Sequence, residues 1–207
     1  VKVKAGDGIP VASDVAFEVL APEIQLENDD NDNSLVLMLS VNGRRFLFTG
    51  DMQFAEEKVL MASGADISAD VLKVGNHGNR DATSAEFGAA VSPLIAVIST
   101  DTTVDTNSAN SIVKSHLAMA DIFTTQDREL GVLLTVSHKG EIEISYPARP
   151  EAAEGGSSLA VTSASKAEQT FTLENGGDSA VDISGWFVYS SKGCEVFVFP
   201  EGTVIEA

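Results

Sequence analysis

The sequence predicts a layered α/β domain over residues 1–147 and a shorter all-β module over residues 158–207. Three observations predict it. Strand-length apolar runs alternate with helical patterns as far as Tyr146. Residues 148–157, rich in Ala, Glu and Gly, have linker composition with little to bury. Beyond them, short β-type runs are punctuated by glycine turns.

The elements follow in order. Val15 to Leu20 reads as a strand that Ala21-Pro22 stops, because proline has no N–H for the ladder. Glu27 to Asn33, ENDDNDN, is too charged and turn-rich to pair in a sheet. Its alternating oxygen-bearing side chains resemble calcium ligands, but it has neither the glycine nor the closing glutamate of an EF-hand loop. Leu35 to Val41 and Arg44 to Thr49 form a hairpin about Asn42-Gly43, a pair suited to positive φ. Phe54 to Ser63 has helical spacing and a glycine stop at Gly64. Val71 to Val74 is a short apolar strand, Ser84 to Ala90 a short helix, and Leu94 to Ser99 a buried strand. Ser108 to Met119 is helical in pattern, Ile122 to Thr124 is a strand, and Gly131–Ser137 with Glu141–Tyr146 make a second hairpin about Lys139-Gly140.

In the second module, Gln169–Leu173, Ala180–Ile183, Trp186–Tyr189 and Val196–Phe199 read as strands of an all-β sandwich. Roughly 50 residues are few for a sandwich of about 100, so the module is expected to be cut short. The chain opens on Val1-Lys2, inside what reads as a strand, without an initiator Met or signal peptide, and is expected to be a piece of a longer protein.

Composition bounds the function. With 13 Lys plus Arg against 31 Asp plus Glu, the formal net charge is −18. A broad, passive nucleic-acid-binding surface is excluded, because duplex affinity needs clustered cations to displace counterions. An enzyme gripping phosphates through a metal is not excluded. The longest apolar stretch, Ala89 to Ile98, is about half of the roughly 20 residues of a membrane-spanning helix. The single Cys194 allows no internal disulfide and reads as a small buried hydrophobe.

Two strand ends carry chemistry. Phe48-Thr-Gly-Asp51 places a carboxylate, and Leu72-Lys-Val-Gly-Asn-His77-Gly78 an imidazole, at the ends of successive strands. In an α/β layer such ends lie side by side, so Asp51 and His77 are candidate metal ligands. Taken singly, Asp51 also fits a turn or helix cap, and His77 a solvated loop. Lys73 and Arg80 are candidate substrate-binding groups for a phosphate, with strand-face and loop roles as the alternatives. His116, in a helical stretch, and His138, in a turn, fit packing and solvated roles.

The series Asn31-Asp-Asn-Ser-Leu-Val-Leu, Phe46-Leu-Phe-Thr-Gly-Asp51, Ala69-Asp-Val-Leu-Lys-Val-Gly-Asn-His77-Gly78 and Ala96-Val-Ile-Ser99 resembles the second half of a metallo-β-lactamase-fold domain of the ComEC competence type. The resemblance implies part of an αββα sandwich with a metal edge, Asp51 and His77 as ligands, zinc or manganese as cofactor, and metal-assisted hydrolysis of nucleic-acid phosphodiesters. Two departures stand out. Asn76 occupies the first of two positions that usually hold adjacent histidines, and Thr102 to Ser108 has no His-Pro; Asp105 or Asn107 are the substitutes at hand. The family's main ligand run, which belongs to the first half of the fold, does not occur in this chain, so the chain is expected to be inactive alone. A catalytically silent scaffold is the alternative.

Thr172 to Trp186, ending Ile-Ser-Gly-Trp, followed by Val196 to Thr203, is similar to the opening of a lamin-tail domain, an immunoglobulin-like sandwich. The resemblance implies Trp186 as a core anchor, an accessory module on a secreted hydrolase, and an extracellular or cell-surface setting.

Overall fold

The computed structural model describes residues 2–26, 30–128, 130–147, 158–165, 170–190 and 195–207. It contains two compact units, 1–149 and 150–207. The linker stretch 148–157, Glu27 to Asp29 and Cys194 lie outside the described residues.

The first unit is built on a seven-stranded mixed sheet, a mixed α/β architecture. The strands are β1 (Gly8–Ala12), β2 (Val15–Ala21), β3 (Val36–Val41), β4 (Arg44–Phe48), β5 (Val71–Lys73), β6 (Ile95–Ile98) and β7 (Asp121–Thr124). They lie in the sheet in chain order. β1 to β4 form an antiparallel meander, and β4 to β7 are parallel. Three crossovers carry helices α1 (Phe54–Ser63), α2 (Ala85–Val91) and α3 (Ser111–His116). Parallel neighbours need such crossovers because no tight turn can return the chain to the same end.

Local chemistry sets the boundaries. Asn42 and Gly43 both take positive φ, 49° and 76°, the geometry of a hairpin turn whose twist matches its strands. Gly64 ends α1 in the left-handed region. Ser84 caps α2 by accepting the Phe87 N–H, and Asn110 caps α3 by accepting the Ile112 N–H. That cap makes α3 shorter than the expected Ser108 to Met119. Ser108 instead bonds Thr100 and the Asp105 carbonyl, and Ala109 sits at φ 47°.

Alternate residues along the strands face opposite sides. Val36, Met38, Leu47, Leu72, Ala96 and Ile98 point to the helix side, where Leu60, Phe87, Val91, Val113 and Leu117 close one buried core. The other side shows Leu39, Val41, Phe46, Phe48, Val71 and Val97. Together with Leu134 and Val136 they line an apolar hollow of about 500 Å³. Those last two residues belong to β8 (Leu133–Val136), which pairs with β9 (Ile142–Ser145) as a separate hairpin. The hairpin turn is tied to the β3–β4 turn: Arg44 donates to the Gly140 carbonyl and Asn42 to the Ser137 carbonyl.

The second unit contains three two-stranded pairs. β10 (Leu159–Ser165) pairs with β11 (Thr170–Asn175), β12 (Val181–Asp182) with β15 (Val204–Ile205), and β13 (Phe187–Ser190) with β14 (Glu195–Val198). Ile183 is its buried apolar residue among those described. Trp186, expected as a core anchor, is 50% exposed. Its backbone closes the turn, donating to the Ile183 carbonyl and accepting from the Phe199 N–H.

Candidate functional site

The carboxyl ends of β4, β5 and β6 converge on one edge of the sheet, the place where open α/β sheets bind ligands. After β4 the chain turns through Thr49-Gly50-Asp51. After β5 it makes a tight turn over Gly75–Gly78, with Asn76 and His77 both at positive φ, 41° and 54°. This unusual backbone lets two adjacent side chains leave the strand end in different directions.

Asp51 and His77 meet there. His77 Nε2 lies 3.5 Å from Asp51 Oδ1, and the side chains are 44% and 43% exposed. The other ring nitrogen, Nδ1, lies 2.7 Å from the Ser99 carbonyl oxygen at the end of β6. A carbonyl only accepts, so Nδ1 carries the proton in that bond. In the neutral ring, the Nε2 lone pair then faces Asp51, the tautomer a metal ligand requires.

The Asp51 peptide is held on both sides. Its N–H donates to Ser34 Oγ at 3.0 Å. The preceding Gly50 carbonyl accepts from Lys73 Nζ at 3.0 Å and from the Asn76 N–H at 3.3 Å. Lys73 is half-buried. Burial pushes its ammonium pKa down and the Asp51 carboxylate pushes it back up. Its bond to Gly50 places it as a strut beneath the Asp51 turn. Arg80 is exposed, three residues beyond His77.

The departures noted in the sequence have structural counterparts. The Asn76 amide donates to Asp81 Oδ1 at 3.1 Å, within its own loop. Asn79 links the Asn76 carbonyl to Asp105 Oδ2, at 3.0 and 2.9 Å. The Asn79 bond foremost, then the Asn107 N–H and the nearby His77, hold the Asp105 carboxyl below its ordinary range. Among the described residues no group of three or more His, Cys, Asp or Glu side chains is placed to hold an ion. Asp51 and His77 have the donor chemistry of a zinc site, but two ligands fall short of the three or four required, so these residues alone do not fit a metal centre. His116 Nδ1 bonds the Thr83 carbonyl at 2.8 Å, and His138 is exposed.

Sequence reasoning missed the carboxylates behind the site. Glu56 and Glu57 are 2% and 1% exposed, and Asp32 is 8% exposed. Asp32 Oδ1 accepts the Gln53 and Glu56 N–H groups, capping α1 from outside the helix. Glu57 accepts the Thr83 and Ser84 N–H groups of the loop that follows His77. The signal was their register: Glu56 and Glu57 stand four and three residues before buried Leu60, on the inward stripe.

Known proteins match part of this chain. The ComE operon protein 3 of Bacillus subtilis is 39% identical over 98 residues, 47% of this chain and 12% of that protein. Competence protein ComA of Neisseria gonorrhoeae is 38% identical over 86 residues, 41% of this chain and 12% of the relative. Recombination protein 2 of Haemophilus influenzae is 32% identical over 83 residues, 40% of this chain and 10% of the relative. The chain is thus similar to competence and recombination proteins and spans about an eighth or less of their length. No family model matches it. No helix among the described residues is long and apolar enough to cross a membrane, which says nothing of a β-barrel.

Proposed function

We propose that residues 1–147 form part of the hydrolase domain of a ComEC-type DNA-uptake protein with a metallo-β-lactamase fold. The domain acts on nucleic-acid phosphodiesters with a divalent metal, zinc or alternatively manganese. The observation that carries this reading is the Asp51–His77 pair, brought to 3.5 Å from two adjacent parallel strand ends with Nε2 turned toward the carboxylate. Likeness to competence and recombination proteins over 40–47% of the chain supports the nucleic-acid setting. Asp51 and His77 supply two ligands, and the parent protein supplies the others. Lys73, which bonds the Gly50 carbonyl beside the pair, and Arg80, three residues past His77, are the groups proposed to meet a phosphate. Residues 158–207 form a separate lamin-tail accessory module, with 148–157 as its connection, and the parent works at or outside the cell surface.

A second reading, a catalytically silent scaffold, is favoured by one observation. The Asn76 amide is engaged with Asp81. Metal analysis of the full-length parent beside its Asp51→Ala variant separates the two readings. The enzyme reading expects the variant to retain clearly less metal, and equal metal in both overturns the assignment.

A further inference from the structure

We propose that Glu56 is a positioning residue for the Asp51 carboxylate and acts through Ser34. Glu56 Oε2 accepts the Ser34 N–H at 3.1 Å, and Ser34 Oγ accepts the Asp51 N–H at 3.0 Å. Ser34 is also pressed against the turn: a Cβ at Gly50 would stand 3.0 Å from both Ser34 Cβ and Oγ. With Lys73 and Asn76 holding the Gly50 carbonyl from the other side, the peptide leading into Asp51 is gripped between two supports.

The burial of Glu56 is hard to account for by stability alone. Removing a carboxylate from water costs free energy unless its oxygens are satisfied. Here Oε1 meets no donor among the described residues. Helix α1 does not need this carboxyl for its own end, because Asp32 already accepts the Gln53 and Glu56 N–H groups. What the side chain does achieve is to fix the Ser34 backbone, and with it the hydroxyl that receives Asp51. Burial foremost pushes the Glu56 pKa up to about 7, against the Ser34 bond that lowers it; the Asp32 charge adds to the rise. A carboxyl held at that cost is consistent with a task beyond packing.

The significance of this brace rests on Asp51 being a ligand, so the test is made without metal and reads the brace itself. Amide hydrogen exchange is followed by NMR in the intact chain and in its Glu56→Leu, Glu56→Gln and Ser34→Ala variants. Losing a hydrogen bond of about 1.4 kcal/mol corresponds to about tenfold faster exchange. Glu56→Leu and Ser34→Ala are each expected to speed the Asp51 amide about tenfold relative to the Leu72 amide of β5. Glu56→Gln, whose amide oxygen accepts the same Ser34 N–H, is expected to restore protection to within about twofold. If Glu56→Leu speeds the Asp51 and Leu72 amides equally, the role is merely structural and the proposal fails. Unchanged Asp51 exchange in Ser34→Ala overturns it as well, and that variant stands as the test should Glu56→Leu not fold. Failure of the metal-ligand reading would appear separately, as equal metal in the Asp51→Ala parent.

Discussion

Gly75→Ala probes the closeness of the two strand ends on which the site depends. Gly75 is buried at the end of β5, and a Cβ there would lie 2.9 Å from the Met52 carbonyl oxygen, 3.4 Å from Thr49 Oγ1 and 3.5 Å from Thr83 Oγ1. The last two are ordinary contacts. The first falls short of van der Waals contact by about half an ångström, and the atom in the way is backbone. Met52 cannot swing aside freely, because its N–H is bonded to the Thr49 carbonyl and its side chain is 1% exposed. Overpacking of this kind costs about 1–3 kcal/mol. Alanine also restricts the unfolded chain, which returns about 0.4–1 kcal/mol, so the expected net loss is about 1–2 kcal/mol. Equilibrium urea unfolding followed by circular dichroism measures it as a lower midpoint at unchanged slope. The His77 ring resonances should move as well, since the end of β5 must part from the Asp51 turn. Gly43→Ala provides the contrast: nothing lies within 4 Å of its added Cβ, and only its φ of +76° is unfavourable. It should lose about 1 kcal/mol and leave His77 unmoved. A Gly75→Ala protein as stable as the parent chain, with His77 unshifted, would refute the argument.

Three further outcomes are expected. Leu72→Ala, at a fully buried position between α1 and α2, should lower unfolding free energy by about 2–5 kcal/mol in the same urea assay. Glu56 should give stability a pH dependence of definite sign. Its folded pKa is raised from 4.5 to about 7, so its stabilisation is complete below pH 4.5 and is lost as pH rises toward 7; the wild-type advantage over Glu56→Gln should shrink from pH 5 to pH 8, and a pH-independent difference would contradict this. The 207-residue chain given zinc or manganese should cleave DNA no faster than its Asp51→Ala, His77→Ala double variant, because two candidate ligands fall short of the three or four a metal site needs. Metal-dependent cleavage lost in the double variant would show that Asp105, Asn107 or Asn76 completes the site.

The legible parts of the fold were those whose determinants are close in sequence. The Asn42-Gly43 hairpin, the Gly64 stop and the strands β2, β3 and β6 rest on turn residues and short-range patterns. β1 was not legible. Its sequence GIPVA contains Gly and Pro and is exposed throughout, and it pairs only because β2 offers it an edge. β10 was hidden in Ser and Ala for a similar reason: six of its residues find register partners in β11, but it has no apolar alternation of its own. The site divides in the same way. Asp51 and His77 were visible because each follows a strand and a glycine. Ser34, Glu56 and Glu57 were not, since what they hold lies 17 to 27 residues away. Two adjacent glutamates in a helix ordinarily read as solvated, and their register with Leu60 was the one local sign that both turn inward.

The chain-order arrangement of the seven strands bears on how the protein emerges from a ribosome. From β2 onward no strand of this sheet waits for a partner made later, since each one's upstream neighbour in the chain is also its neighbour in space. A helical crossover of roughly 25 residues takes about 1–5 s to synthesise at about 5–20 residues per second. A hairpin closes in about 1–10 μs. The β1–β4 meander therefore has time to form before β5 exists, and each parallel strand then docks on a finished edge. Assembly runs vectorially, with a single growing edge exposed at any moment, and it brings the Asp51 turn into being before the His77 turn that completes the pair.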